Sequence, residues 1–304
     1  MSEHTSETDD SCVVLPEAEL EPAGRVPRTT PRPPGLAERV LVRRPADMPG
    51  VEHWRVEAST RLWALYHERY SFCVAHHSPG PQSWKYRRHT YGMQAGTTTM
   101  RIAPGETHVT TQVPLSSFQV VTVEPTMVAL ELSTQSTAIC HRSCGGQTDR
   151  PMIARLFLSL CRAIEDPDAS RFERRALLRQ FLFAALDADG KQREASSRVC
   201  DRAVMRAREI LRSQSAENLS LELFEQETGV SRYHLERSFQ AKMGVPIHRY
   251  LKLVRLEQAQ ALLRRGLSAI DVARSTGFFD SAHMTRTFRA ELGITPGAYA
   301  RATK

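Results

Sequence analysis

Two stretches near the C-terminus are imperfect copies of one another: TGVSRYHLERSFQAKMGVP at 228–246 and TGFFDSAHMTRTFRAELGITP at 276–296. Five pairs of like residues lie 49 positions apart, namely His234/His283, Leu235/Met284, Arg237/Arg286, Phe239/Phe288 and Gly244/Gly293. A match at so many positions predicts an internal duplication in which each copy forms one structural unit.

Each copy predicts a helix, a tight turn and a second helix. In the first copy, Ser220 is suited to cap the first helix. Gly229 supplies the left-handed turn, and Ser231 is expected to cap a second helix that runs to about Met243 and is closed by Gly244. Leu235 and Phe239 lie one helical turn apart, so we expect both to pack inward. This pattern is typical of a helix-turn-helix, whose second helix enters the major groove of DNA.

The exposed faces of the two second helices carry the side chains that could read bases. They hold Tyr233, Glu236, Arg237 and Gln240 in the first copy and Ser281, Ala282, Thr285, Arg286 and Arg289 in the second. An arginine can bind guanine O6 and N7 as a fork, and apolar groups can contact the thymine methyl. The alternative for Arg237 is a surface interaction with Glu236 or Gln240.

The residues between the copies predict one long helix that begins after Pro246 and ends near Arg265. About 18 residues at ~1.5 Å each give a rod of ~27 Å. Such a rod could hold two recognition helices about one turn of DNA, ~34 Å, apart on one face.

Positive charge is concentrated in the same part of the chain. The 304 residues carry a formal net charge of +7. Residues 191–304 contain 20 Lys and Arg against 12 Asp and Glu, a net charge of +8, so the first 190 residues carry −1. A basic module joined to a neutral one is typical of nucleic-acid-binding proteins. A solvated basic face without a partner is the alternative.

Residues 219–301 resemble the DNA-binding domain of the AraC/XylS transcription regulators. The resemblance rests on Gly229-Val230-Ser231 with Leu235, Arg237 and Phe239, on Val272-Ala273 with Gly277-Phe278, and on the runs His283–Arg289 and Gly293–Arg301. It implies that the DNA-binding residues are Arg232, Tyr233, Glu236 and Arg237 in the first motif and Ser281, Ala282, Thr285 and Arg286 in the second.

Two departures from the family pattern modify this expectation. Family members usually place alanine where Glu225 stands, so we expect its carboxylate to loosen or re-aim the first motif. Ser281 and Ala282 have short side chains, so we expect the first motif to make more base contacts than the second.

The N-terminal part predicts a β domain followed by two helices. We predict strands over Tyr70–Ala75, Trp84–Tyr86, Thr97–Ile102, Ser117–Val123 and Met127–Leu132, which favours a small barrel or sandwich. After Pro151 the apolar spacing becomes helical. The two helices could pack on the β domain, form a dimer seam, or do both. Residues 1–35 are acidic and then proline-rich, so we expect a disordered tail.

The β region resembles the cupin-like sensor domain of the same family. The resemblance lies in His67–Phe72, Tyr86–His89 and Ala103–His108. It implies a small-molecule ligand in the barrel and dimerisation through helices within Leu158–Leu186. His67, Tyr70 and His108 are the candidate ligand-binding residues, unless they merely stabilise the mouth of the barrel.

A cupin metal enzyme with a basic appendage is the alternative function. Such a site needs a His-x-His pair, a glutamate and a later histidine. Here Arg69 stands two residues after His67, and His67 with His108 cannot complete a site. Cys140 and Cys144 lack zinc-knuckle spacing, so we expect a reduced pair in a loop. We therefore predict no catalytic residue, no metal, no cofactor and no enzymatic activity.

The predicted fold class is α+β: residues 36–190 form a cupin-like sensor and dimerisation domain, a β-barrel with following helices. Residues 196–304 form an all-α double helix-turn-helix domain. The predicted function is a sequence-specific transcription regulator, activator or repressor, controlled by a small molecule. Its expected partners are double-stranded DNA, that effector, a second copy of the chain and RNA polymerase, with no membrane partner.

A cytoplasmic location is expected on three grounds. The sequence shows neither a signal-peptide pattern nor a run of ~20 apolar residues. Its six cysteines in 304 residues are too few for a disulfide scaffold and fit a reducing compartment.

Overall fold

The described residues of the N-terminal half contain ten strands in two antiparallel sheets. The structure is a computed structural model that describes residues 36–132, 145–187 and 200–302. The strands are β1 (Arg39–Arg43), β2 (Val51–Ser59), β3 (Ala64–His67), β4 (Tyr70–His77), β5 (Gln82–Tyr86), β6 (His89–Met93), β7 (Thr99–Ile102), β8 (Glu106–Gln112), β9 (Ser116–Val123) and β10 (Gly146–Thr148).

The two sheets face each other as a sandwich. The larger sheet has the order β1-β2-β9-β4-β7-β10 and the smaller has the order β3-β8-β5-β6. All pairings are antiparallel. Over the described ranges no hydrogen-bonded ladder joins the sheets. The predicted sheet-rich domain is therefore confirmed, but as two sheets rather than a closed barrel.

Within residues 36–132 and 145–187, the helices beside these sheets are α1 (Pro125–Leu132), α2 (Pro151–Glu165) and α3 (Arg171–Asp187). The prediction of a strand over Met127–Leu132 is wrong, because these residues lie in α1. Proline is favoured in the first turn of a helix, and Met127, Val128 and Glu131 are buried at helical spacing. Helix-forming residues and this one-sided burial outweigh the apolar run that suggested a strand.

Helices α2 and α3 pack on the outer face of the larger sheet. Successive side chains of a strand point to opposite faces, so Tyr70, Phe72 and Val74 of β4 face the helices. The rings of Phe72 and Phe181 meet edge to face at 4.9 Å. The apolar stripes of both helices are buried in this cluster, which confirms that they pack within the chain.

The C-terminal part is helical throughout its described residues. Its helices are α4 (Cys200–Ser213), α5 (Leu221–Thr228), α6 (Arg232–Met243), α7 (Ile247–Arg264), α8 (Ala269–Ser275), α9 (Ser281–Leu292) and α10 (Pro296–Arg301). Helices α5 and α6 form the first helix-turn-helix, and α8 with α9 forms the second. Helix α7 joins them and contains the 18 residues predicted for the rod.

The two sheets are called the sheet region below, and α4–α10 are called the helical region. Two apolar clusters join the sheet region to the helical region. In one cluster Tyr66 of β3 meets Tyr250 of α7 with ring centroids 5.4 Å apart. In the other, Trp54 of β2 stacks on Tyr299 of α10 at 5.6 Å. Because all four rings are buried, the sheet region packs against the cores of both helix-turn-helix motifs.

Candidate DNA-binding surface and effector cavity

The turns of the two motifs adopt the left-handed backbone that their glycines permit. Gly229 has φ +66° and Gly277 has φ +74°. A Cβ atom on Gly277 would lie 2.7 Å from the carbonyl oxygen of Ala216, so only glycine fits there. Ser220 Oγ accepts from the Leu223 N–H, which confirms the predicted cap of α5.

The first recognition helix, α6, exposes most of the predicted DNA-binding side chains. Arg232 and Arg237 are exposed, Tyr233 is 69% exposed, and Glu236 is half-buried. Leu235 and Phe239 are buried beneath them, as predicted. In the described part of the chain no carboxylate pairs with Arg237, so the alternative of an ion pair with Glu236 is not realised.

Glu225 caps the first recognition helix. One of its carboxylate oxygens accepts the backbone N–H of Arg232, the first residue of α6. Ser231 makes no such cap; its hydroxyl instead bonds to His234 Nδ1 at 2.9 Å. The expectation that Glu225 loosens this motif is therefore wrong, because a carboxylate at a helix N-terminus stabilises the free N–H groups there. That Glu225 re-aims the motif stays a prediction.

The second recognition helix, α9, presents a smaller surface. Asp280 accepts from the His283 N–H and caps it. The Thr285 hydroxyl donates to the Ser281 carbonyl at 2.8 Å, so it is tied to its own helix. Ala282 and Arg286 are exposed. Arg286, like Arg237, has no carboxylate partner in the described ranges, so its guanidinium is available to bind an anion.

The sheet region binds the C-terminal turn of both recognition helices. The Thr107 hydroxyl donates to the Met243 carbonyl at the end of α6, at 2.6 Å. Arg61 Nη1 donates to the carbonyls of Arg289 and Ala290 in the last turn of α9, at 3.0 and 2.5 Å. Carbonyls in the last turn of a helix are short of N–H donors from their own helix; the Arg289 carbonyl also accepts the capping N–H of Gly293. A cation also complements this negative end of α9.

A buried ion-pair network lies between the two regions. Glu52 on β2 accepts from Arg44 Nε at 2.5 Å, Arg69 Nη2 at 3.1 Å and Trp54 Nε1 at 2.7 Å. From the helical region, the Tyr299 hydroxyl donates to Glu52 at 3.0 Å and accepts from Arg264 at 2.6 Å. Hereafter this is the Glu52 network.

The charge of Glu52 is held by its neighbours. Burial alone would raise the pKa of this carboxyl, but Arg69, Arg44 and Arg264 outweigh it and lower the pKa from 4.5 to about 2. Burial also raises the pKa of Glu257, which lies 3.8 Å from Arg69. Arg69 is thus compensated by carboxylates from both regions.

A cavity of about 100 Å³ lies between the two sheets and the helical region. It is lined by Trp54, Val56, Trp63, Leu65, Tyr66, His67, Arg69, Ser71, Cys73, Gln82, Met93, Met100, Ile102, His108, Thr110, Val113, Phe118, Val120, Thr122, Glu257, Gln260 and Leu292. Most of these side chains are apolar. Glu257 and Gln260 belong to α7 and Leu292 to α9, so part of the wall comes from the helical region.

The structure brings two of the three candidate ligand-binding residues together. His67 Nε2 lies 3.0 Å from His108 Nδ1, and their rings stack at 5.1 Å. Tyr70 is buried on the opposite face of β4, among α2 and α3, and does not reach the cavity. The odd-numbered neighbours Ser71 and Cys73 line it instead, because strand side chains alternate in direction.

Both cavity histidines are neutral at pH 7. Burial lowers the pKa of His67 well below its ordinary value, and the adjacent His108 lowers it further. Burial alone lowers the pKa of His108 to about 4. A neutral pair joined by one hydrogen bond retains one ring donor and one ring acceptor for a ligand.

The described ranges contain no group of three or more His, Cys, Asp or Glu side chains arranged to hold a metal ion. None of the helices in those ranges is both long and apolar enough to span a bilayer. The predicted pair Cys140 and Cys144 and the predicted tail at 1–35 lie outside the described residues.

Sequence reasoning missed α4 and most of the contacts between the regions. Helix α4 contributes Val204, Ala207 and Leu211 to the core beneath the first motif, and this spacing of three and four residues was a signal for it. Glu52 and Arg44 carry no local pattern that distinguishes them from surface charges, so their burial could not be predicted.

Two family models match the chain, one in each region. The model described as an AraC-like ligand binding domain matches residues 57–185, and a helix-turn-helix domain model matches residues 225–302.

Known proteins are similar to all or part of the chain. The uncharacterised regulator YbfI of Bacillus subtilis is 42% identical over 76 residues, which is 25% of this chain and only 28% of YbfI. The probable transcription factor PqrA of Proteus vulgaris is 30% identical over 87 residues, 28% of this chain and 71% of PqrA. The crystal structure of ToxT from Vibrio cholerae O395 has a TM-score of 0.48 at 11% identity, covering 83% of this chain and 96% of ToxT.

Proposed function

Because the chain belongs to the AraC family of transcriptional regulators, we propose that it binds a specific sequence in double-stranded DNA and regulates transcription in response to a small molecule. The observation that carries the proposal is the pair of recognition helices. Each presents an exposed arginine, Arg237 or Arg286, that has no carboxylate partner among the described residues. A role on chromosomal DNA makes the cytoplasm the proposed location.

The spacing of the two motifs supports the proposal that their recognition helices bind two successive segments of the major groove. Helix α7 contains 18 residues, a rod of ~27 Å at ~1.5 Å per residue. Successive major-groove segments on one face of DNA lie about 34 Å apart. We infer that α6 and α9 enter two such segments, with the eight predicted residues facing the bases and the backbone.

Selection from a random pool of DNA duplexes tests the proposal. A duplex of about 30 base pairs spans two successive major-groove segments and their flanks. The full chain should enrich one sequence class, and the logarithm of its affinity should fall steeply with the logarithm of salt concentration. Replacing both Arg237 and Arg286 by alanine should abolish the enrichment. Arg162→Ala, which removes an exposed charge from α2, is the matched control.

Enrichment that survives the loss of both recognition arginines would contradict base reading by these helices. A chain that binds scrambled and enriched duplexes equally well would contradict sequence-specific regulation altogether.

We infer that the effector is a small, largely apolar, uncharged molecule. The lining of the cavity is mostly apolar, and its one arginine, Arg69, is already compensated by Glu52 and Glu257. A carboxylate ligand would find no uncompensated cation among the described lining residues. The polar groups suited to orient a neutral ligand are the His67–His108 pair and the Thr122 hydroxyl, which is buried and has no hydrogen-bond partner among the described residues.

Occupation of the cavity would couple to the position of the helical region. A cavity of about 100 Å³ holds few non-hydrogen atoms, so a larger effector must displace part of its wall. Because Glu257, Gln260 and Leu292 form some of that wall, displacement shifts α7 and α9. A ligand that favours one arrangement of the regions shifts the population towards it.

Thermal-shift screening of neutral and carboxylate-bearing metabolites tests this part of the proposal. Neutral compounds should raise the unfolding temperature. Thr122→Val keeps the side-chain shape but removes the hydroxyl, so it should weaken a hydrogen-bonding effector. Stabilisation by carboxylates alone would contradict the proposed ligand class.

We also propose a homodimer formed through α3. Phe172 and Phe183 are 84% and 66% exposed, and their separation of eleven residues places them on one face of the helix. Large exposed apolar side chains on one face are typical of an interaction surface. Phe172→Ala with Phe183→Ala should convert dimers to monomers in sedimentation experiments; a wild-type chain that is monomeric at micromolar concentration would refute the dimer.

A further inference from the structure

The turns of the two helix-turn-helix motifs differ in length by one residue. In the first, Gly229 is followed by Val230 and then by the N-cap residue Ser231. In the second, Gly277 is followed by two phenylalanines, Phe278 and Phe279, before the N-cap residue Asp280. The second copy therefore carries one inserted residue immediately before its recognition helix.

The inserted residue is Phe279. Phe278 is the counterpart of Val230, since both follow the turn glycine and both pack into the core of their own motif. Phe278 is 6% exposed, whereas Phe279 is 92% exposed and is the most exposed large apolar side chain of the described residues. Phe279 thus contributes nothing to the packing of the motif that contains it.

The position of Phe279 points to DNA as the partner. It lies two residues before the start of α9, and the N-terminal residues of a recognition helix are those that reach base edges. The exposed arginines of the second motif are Arg274, Arg286 and Arg289, which suits a polyanion better than an apolar protein surface. The adjacent exposed carboxylate, Asp280, accepts the His283 N–H as the N-cap of α9.

The second motif lacks the aromatic group that the first presents. Tyr233, the second residue of α6, is 69% exposed, and its counterpart 49 residues later is Ala282. The insertion places an exposed ring at the same end of the helix by another route. Apolar side chains, phenylalanine among them, contact the 5-methyl group of thymine in the major groove.

We propose that Phe279 is a specificity-determining residue that recognises the 5-methyl group of a thymine beside the second recognition helix. The inference rests on the proposed DNA-binding function. Phe279 would add a base contact to the second motif, because the side chains of Ser281 and Ala282 are too short to make one. The proposal also names the base that Phe279 contacts, which is thymine.

Selection from the random duplex pool with the wild-type chain and with Phe279→Ala tests the proposal. The wild type should enrich a thymine at one or two positions of the half bound by α9, and Phe279→Ala should lose that preference while retaining the other enriched positions. Because the side chain is exposed, the variant should keep the wild-type unfolding temperature. Met152→Ala, which removes an exposed apolar side chain from α2, should select the wild-type sequence.

Deoxyuridine supplies the decisive comparison, because it pairs like thymine but lacks the methyl group. Substitution at the enriched position should weaken wild-type binding about fourfold, the value of one buried methyl group. The same substitution should leave the affinity of Phe279→Ala unchanged, since the two changes remove one contact.

Two results would overturn the proposal. If Phe279→Ala enriches the same thymine and responds to deoxyuridine as the wild type does, Phe279 does not read the methyl group, while the proposed DNA-binding function stands. If the wild type enriches no sequence, the proposed function fails and this inference fails with it.

Discussion

Replacing Glu52 by glutamine should destabilise the protein more than any surface charge substitution. Glu52 is 1% exposed and holds Arg44, Arg69 and Tyr299 in one network. Lowering its pKa from 4.5 to about 2 corresponds to roughly 3 kcal/mol at about 1.36 kcal/mol per unit. Removing one partner of a buried ion pair costs about 3–5 kcal/mol, because the other charges stay buried. We therefore expect a loss of about 3–5 kcal/mol at pH 7.

Urea denaturation followed by tryptophan fluorescence measures this loss. Trp54, whose Nε1 donates to Glu52, is one of three buried tryptophans whose emission changes on unfolding. Glu57→Gln is the matched control on the same strand. Its carboxylate pairs with Arg55 at 2.9 Å but is 31% exposed, and it should contribute no more than about 1 kcal/mol.

The effect of Glu52→Gln depends on pH in a defined direction. A carboxyl whose pKa is lowered on folding stabilises the protein above its unfolded pKa, here near 4.5, and loses this contribution as the pH falls towards about 2. The difference between wild type and variant should stay constant from pH 8 to 5 and shrink below pH 4.5. A loss at pH 7 no larger than that of Glu57→Gln would refute the conclusion that a charged Glu52 holds the two regions together.

Three further predictions concern the recognition helices and the cavity. Arg237→Ala should weaken binding to the selected duplex by about 1–3 kcal/mol and relax the preference at one base pair; equal losses on selected and random duplexes in anisotropy titrations would contradict base reading. Ser220→Ala should lower the free energy of unfolding by about 1 kcal/mol, and Ser231→Ala should lower it by less, because of these two serines only Ser220 caps its helix with its side chain. The reverse order in urea denaturation would contradict this. The pKa of His108 is about 4 in the folded chain, against an ordinary value of 6.5. Between these pH values the imidazole binds a proton in the unfolded chain but not in the folded one, so the free energy of unfolding should fall as the pH is lowered from 6.5 to 4. His108→Asn should flatten that fall in pH-dependent thermal unfolding, and an unchanged slope would contradict a neutral buried ring.

The helical region was largely predictable from the sequence because its signals are local. The caps and turn glycines at Ser220, Gly229 and Gly244 lie at fixed offsets from apolar pairs one helical turn apart, and the duplication repeats them. The exposed faces of α6 and α9 follow from the same periodicity.

The contacts between the regions could not be predicted because they join residues far apart in the sequence. Glu52 meets Tyr299 across 247 positions, and a lone glutamate on an alternating strand gives no sign of its partners. The helix at Met127–Leu132 was mistaken for a strand because a short apolar run fits either structure. Tyr70 is a candidate ligand-binding residue only through the resemblance of His67–Phe72 to a sensor domain, and that resemblance does not indicate which face of β4 meets the helices; Ser71 and Cys73 line the cavity instead.

The hydrogen bonds from the sheet region to the C-terminal turns of α6 and α9 predict that the two regions bind each other even when they are expressed as separate fragments. Arg61 and Thr107 hold the two helices by backbone carbonyls, and the apolar clusters around Tyr66 and Trp54 bury the rest of the junction. Fragments 1–190 and 191–304, co-expressed in a bacterial cell, should therefore associate into a non-covalent complex that regulates transcription as the intact chain does. Such complementation would let libraries of the two pieces be shuffled independently.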